Sequence, residues 1–211
     1  MNDLAVFLGG EGRNELGTRA AEPAYQTDSE PGVIVALLSQ VRDVGWSVTG
    51  ACTWKSIVKL RATGPTPNEE RNVLGLVHEA RRAKAAVVAF IRDANGDAER
   101  SQVLEAAIAK AASLFPTVRV IGGATIPVLE GWLLALLGTT KTEELSKTGA
   151  QRKLSKKGIA AKDTEAMVSA VSNAGLARIP PDAVSLRNWL ERAKAVLSRA
   201  RRAESGPPEG S

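Results

Sequence analysis

Residues 85–91 read Ala85-Ala86-Val87-Val88-Ala89-Phe90-Ile91, an unbroken apolar run closed by Arg92-Asp93. A run of this length without polar alternation describes a strand covered on both faces, as in a parallel sheet sandwiched between helices. Upstream, Asn68 is placed to cap a helix reaching about Ala85, with Val73, Leu74, Val77 and Ala80 at helical spacing. Downstream, a polar turn leads to a helix over about 99–114 and a strand over 117–121, TVRVI, which Gly122-Gly123 ends. Pro127 then suits the start of a short apolar helix, VLEGWLLALLG. Strands and helices in alternation predict a mostly parallel α/β sheet flanked by helices, joined by right-handed crossovers.

The N-terminal third extends the pattern. Residues 4–9, LAVFLG, read as a short buried strand ending in the turn Gly9-Gly10-Glu11-Gly12. Residues 20–32 carry Pro23 and Pro31 and read as a loop, and a helix from Val33 is stopped by Gly45. Residues 46–61 are rich in β-branched side chains and suggest two strands, before a break at 64–67. After Gly138 the texture changes. Residues 139–162 are rich in Lys, Thr and Gly, and 163–203 read as two helices. The expected organisation is an α/β domain over 1–138, a basic helical extension over 139–203 packed on it, and a disordered tail over 204–211.

Charge divides along the same boundary. The chain of 211 residues has a net charge of +5, but residues 1–138 hold 14 Lys/Arg against 15 Asp/Glu, and residues 139–211 hold 14 against 8. A basic excess confined to one third suits a polyanionic partner, or simply solvated helix faces. Aromatic residues make up 4% of the chain, which argues against a base-stacking platform for single strands. The single cysteine, Cys52, cannot form an internal disulfide, and the single histidine, His78, excludes a His-rich zinc site. The N-terminal residues MNDLAVFLGGEG lack a basic segment and a long apolar run, and the apolar stretches fall short of a membrane span, so the expected location is the cytoplasm, with no membrane contact.

Acidic residues recur where strands end. Glu11 follows the first strand, Asp93, Asn95 and Asp97 follow the central one, and Glu130 follows the last. Ligands of open parallel sheets gather at those carboxyl ends. Each acid alone is explained by capping the helix behind it. Several together point to a cation, because like charges repel unless one holds them, and hard oxygen donors favour Mg²⁺ or Mn²⁺.

Other motifs fail on their details. Gly10-Glu11-Gly12-Arg13-Asn14-Glu15 lacks the third glycine of a dinucleotide fingerprint, and its two glutamates would repel a pyrophosphate. Asp93-Ala94-Asn95-Gly96-Asp97 begins like a calcium loop, but Ala98 and Leu104 stand where glycine and glutamate are required. No Walker A loop or Gly-x-Ser-x-Gly elbow exists. His78 reads as a surface or boundary residue, Cys52 as a core thiol, and Trp132 and Trp189 as core.

The segments VFLGGEGRNE, VVAFIRDANGD and IPVLEGWLLAL together resemble the motifs of the Toprim family, in order, over about residues 4–138. They resemble its small stand-alone prokaryotic members of unknown function, relatives of nucleases of the overcoming-lysogenization-defect type. Glu11 matches the family's glutamate and Asp93 its first aspartate. Asn95 stands where the second aspartate is expected, with Asp97 two residues on. The resemblance implies a Toprim-like fold and a Mg²⁺ (or Mn²⁺) site that cleaves phosphodiesters. Its catalytic residues would be Glu11 and Asp93, and its metal ligands Glu11, Asp93, Asn95, Asp97 and Glu130. The expected nucleic-acid contacts are Arg13, Arg152, Lys153, Lys156 and Lys157. The resemblance also implies an effector of an antiphage or toxin system. Its alternative is a non-catalytic subunit that binds a partner protein or nucleic acid, with oligomeric state open and a homodimer among the options.

Overall fold

The computed structural model describes residues 3–20, 30–58 and 66–204. It shows the expected architecture, a parallel sheet flanked by helices with a helical C-terminal extension. Strand β1 (Leu4–Gly10) leads through α1 (Arg13–Leu16), a 3₁₀ turn at Gly17–Ala20 and α2 (Val33–Val41) to β2 (Trp46–Thr53). Helix α3 (Asn68–Arg82) then precedes β3 (Val87–Phe90), and the chain runs on through β4 (Arg92–Asp93), α4 (Ala98–Leu114), β5 (Arg119–Ile121) and β6 (Ala124–Thr125). Helices α5 (Leu129–Leu136), α6 (Lys147–Ser155), α7 (Thr164–Ser172) and α8 (Val184–Glu204) complete it.

The main sheet has the order β2-β1-β3-β5, every pair parallel. Its inner strands are apolar on both sides because both sides are covered. Val6, Leu8, Val87, Ala89 and Ile121 face one core with α2, α5, α6, α7 and α8. Phe7, Val88, Phe90 and Val120 face the other, built with α3 and α4. The run at 85–91 therefore divides its side chains between two cores, and its lack of alternation has a structural cause.

The extension is wound into the first core. Ala150, Leu154, Met167, Val171, Leu186, Trp189 and Leu197 lie in it beside Leu37 and Leu133. Trp132 and Trp189 are core residues, as expected, with ring centroids 6.1 Å apart. Trp189 Nε1 also donates to the Phe90 carbonyl at 3.0 Å, tying α8 to the end of β3. Trp189→Phe keeps most of the packing but orphans that carbonyl, so urea unfolding should show a loss of about 1–2 kcal/mol.

Several local expectations are corrected. Residues 46–61 form one strand rather than two, since Trp54 begins a turn, and 59–61 lie outside the described residues. Asn68 is the first helical residue rather than the cap, a position Pro67 takes without a side-chain bond. The helix from Val33 stops at Val41, and Gly45, at φ 78°, shapes the turn into β2 instead. Residues 139–162 contain α6, which the sequence conceals because only Ala150 and Leu154 of that helix are buried. Glu204 ends α8, and the rest of the expected tail lies outside the described residues. Among the described residues, no helix is long and apolar enough to cross a membrane.

Candidate active site

The sheet order places β2 on one side of β1 and β3 on the other, so the chain reverses direction across the sheet between β1 and β3. The crevice outside the carboxyl ends of two such strands is the usual ligand position in open α/β sheets. Glu11 leaves the end of β1 there, and Arg92-Asp93 leave the end of β3. The two meet directly, as Glu11 Oε1 accepts from the Asp93 backbone N–H at 3.2 Å.

Asp93 is carried past the main sheet by a small extension in which β4 pairs in parallel with β6, Asp93 opposite Thr125. That register brings Thr125 Oγ1 to Asp93 Oδ1 at 2.6 Å. The first backbone N–H of α5, that of Leu129, donates to the same oxygen at 3.0 Å. Burial nevertheless holds the Asp93 carboxyl above the usual carboxylate range. The two hydrogen bonds oppose that rise, and the charges of Glu11 and Glu130 add to it.

Two further carboxylates complete the cluster. Glu130, in the first turn of α5, is buried and accepts from Gln151 Nε2 at 3.0 Å. Glu15, only 6% exposed, bonds back to the Gly12 N–H at 2.9 Å and so closes the start of α1. Burial pushes the Glu15 carboxyl up to about 7, and the charges of Asp93 and Glu11 add to the rise against backbone hydrogen bonds. Gly10 permits this approach, since a Cβ there would sit 2.7 Å from that of Glu15.

One flank is cationic. Arg92 pairs with Glu11 and, at 3.0 Å, with Glu69. Glu69 also takes Arg100 Nε at 3.2 Å and Trp54 Nε1 at 2.8 Å, and Arg92 stacks 5.5 Å from the Trp54 ring. Burial alone would raise the Glu69 carboxyl, but its hydrogen bonds to Arg92 and Trp54 and the two arginine charges bring it below the usual range.

The remaining candidates are used differently. Asp97 caps α4, its Oδ1 accepting from the Arg100 N–H at 3.0 Å on the exposed side of the turn. Asn95 sits at φ 53° ahead of Gly96 at φ 78°, a left-handed pair that suits Asn-Gly, and its side-chain oxygen accepts from Lys147 Nζ at 3.3 Å. Arg13 is exposed, paired with Glu30 at 2.9 Å, beside an open groove that also holds Lys162, Asp163 and Glu165. Arg152 and Lys153 on α6, and Lys156 and Lys157 just after it, are exposed. The α6 side chain that reaches the acidic cluster is instead Gln151, through Glu130, while Lys147 reaches Asn95 in the turn after Asp93. His78 is exposed on α3, and burial pushes the half-buried Cys52 thiol up to about 12, with Glu79 contributing, which disfavours its thiolate.

The donor set fits a hard divalent cation of a particular kind. Among the described residues, no three acidic, His or Cys groups converge closely enough to cage an ion. Glu11 and Asp93, adjacent and all-oxygen, match the one or two carboxylates that suffice for a Mg²⁺ keeping most of its waters. Burial does most to raise Asp93 and Glu15, and the smaller share that comes from mutual repulsion is what such a cation relieves. Comparison of the chain with protein-family models, with curated proteins and with solved structures finds no match.

Proposed function

We propose that the protein is a Toprim-type, Mg²⁺-dependent phosphodiesterase acting on nucleic acid, an effector in a prokaryotic antiphage or toxin system. The observation that carries the reading is the meeting of Glu11 and Asp93 at the point where the sheet reverses, with Glu15 and Glu130 behind them. A bound Mg²⁺ supplies charge to oppose that developing on the phosphate oxygens. Glu11 and Asp93 would hold it, Thr125 and the Leu129 N–H keep Asp93 aimed, and Glu11 is placed to accept or deliver a proton. Arg92 and Arg100 lie on the same side as potential phosphate partners, once Arg92 exchanges Glu11 for substrate.

The test is cleavage of supercoiled plasmid, linear DNA and structured RNA with Mg²⁺ or Mn²⁺ against chelator. Wild type should cut only with metal, and Glu11→Gln should be slower by at least about 10²-fold. Absence of metal-dependent cutting would reject the enzyme. The pairing of Arg92 with Glu11 supports one alternative, a non-catalytic subunit in which arginine permanently fills the place of the cation. That reading predicts no Mn²⁺ binding by wild type in calorimetry, and binding gained in Arg92→Gln, where the carboxylates lose their built-in cation.

A further inference from the structure

From Lys147 to Lys162 the chain has six Lys/Arg and no Asp/Glu. Helix α6 and the turn that ends it separate these cations from their anchor: Ala150 and Leu154 enter the core, while Arg152 and Lys153 on the helix and Lys156 and Lys157 in the turn are exposed. Among the described residues, none of the four has an ion-pair partner. An unneutralised cluster on a helix and its closing turn is electrostatically unfavourable alone and complementary to a polyanion. The helix is also aimed, because Lys147 at its start touches Asn95 and Gln151 one turn on touches Glu130.

We infer that the outward face of α6 is a rail for the phosphate backbone of a double-stranded nucleic acid, leading to the acidic cluster at its Lys147 end. This rests on the nucleic-acid reading above and adds which form is bound and where. Lys147 to Lys157 spans roughly 15 Å at helical rise, about four base steps at 3.4 Å each. Duplex recognition follows from what is missing beside the rail. Single-strand binders stack bases on exposed aromatic rings, and among the described residues no Phe, Tyr or Trp is exposed. A membrane surface is disfavoured, since α6 exposes no large apolar side chain to insert.

The test is fluorescence anisotropy with the full chain in EDTA, which separates binding from cutting. The probes are a 24-bp DNA duplex, the same RNA duplex and each single strand, from 50 to 200 mM salt. Duplex should bind at least about tenfold tighter than single strand, weakening by roughly 10²-fold or more across that range, as four or five phosphate contacts require. Arg152→Gln/Lys153→Gln/Lys156→Gln/Lys157→Gln should reduce the log–log salt slope by roughly 3. Arg187→Gln/Lys194→Gln, bordering a separate groove, should leave it unchanged. Preference for single strand, an unaltered slope in the α6 variant, an equal loss in the control, or tighter binding to anionic phosphatidylserine vesicles would each overturn the proposal. The two duplexes tell DNA from RNA. Duplex binding without metal-dependent cutting would reject the enzyme and keep the rail, and cutting with no α6 dependence would do the reverse.

Discussion

Asp93→Asn should lower metal-dependent cleavage by on the order of 10³-fold or more while leaving the folded protein no less stable. The two halves of that expectation come from the same contacts. Asp93 Oδ1 accepts from Thr125 Oγ1 and from the Leu129 N–H, and an amide oxygen can accept both. What the amide cannot do is supply the negative charge that a divalent cation needs. The aspartate is also held above its ordinary pKa by burial, with Glu11 and Glu130 adding to the rise. A carboxyl raised on folding adds stability while protonated and loses that contribution as pH rises through its folded pKa. Once ionised, Asp93 is therefore a burden on the fold, and the neutral asparagine removes it. Single-turnover cleavage and urea unfolding on the same preparation measure both. Cleavage within tenfold of wild type would remove Asp93 from the metal site, and a large loss of stability would show that its role is structural.

The parts of this site that the sequence reveals are those set by short-range signals. The apolar run at 85–91 and the turn after Gly9 place Glu11 and Asp93 at strand ends, and parallel pairing does the rest. What stays hidden depends on long-range register. Thr125 has no local mark of its role, which exists because β6 pairs with β4 and puts it opposite Asp93. Lys147 and Gln151 are obscured by a helix whose buried side is only Ala150 and Leu154. Glu15 was readable in part, since its spacing from Gly12 is that of a capping glutamate, but its burial beside Asp93 requires the fold. The Asn95-Asp97 segment shows the opposite error. Acids and amides in a turn look like ligands, yet Asn95 meets a left-handed backbone requirement and Asp97 a helix cap.

Glu15 gives the second large effect, and its sign is opposite to that of most buried substitutions. Its carboxyl moves from an ordinary value of 4.5 to about 7 in the folded chain, chiefly through burial. Below pH 4.5 both states are protonated and the contribution is full. Between there and pH 7 the unfolded chain releases its proton while the folded chain keeps it, so stability falls. Above pH 7 the fold carries a buried charge at a cost of about 3 kcal/mol. Glu15→Gln keeps an oxygen for the Gly12 N–H and drops the charge. Urea unfolding should show the variant more stable than wild type by up to about 3 kcal/mol at pH 8 and nearly equal at pH 4. An unaltered pH dependence would mean that the carboxylate is solvated in solution. A chain that retains such a charge beside Asp93 gives up stability at a site where glutamine would pack equally well, a pattern expected where charge serves a ligand. Mg²⁺ should then stabilise wild type more at pH 8 than at pH 5, and stabilise the glutamine variant less.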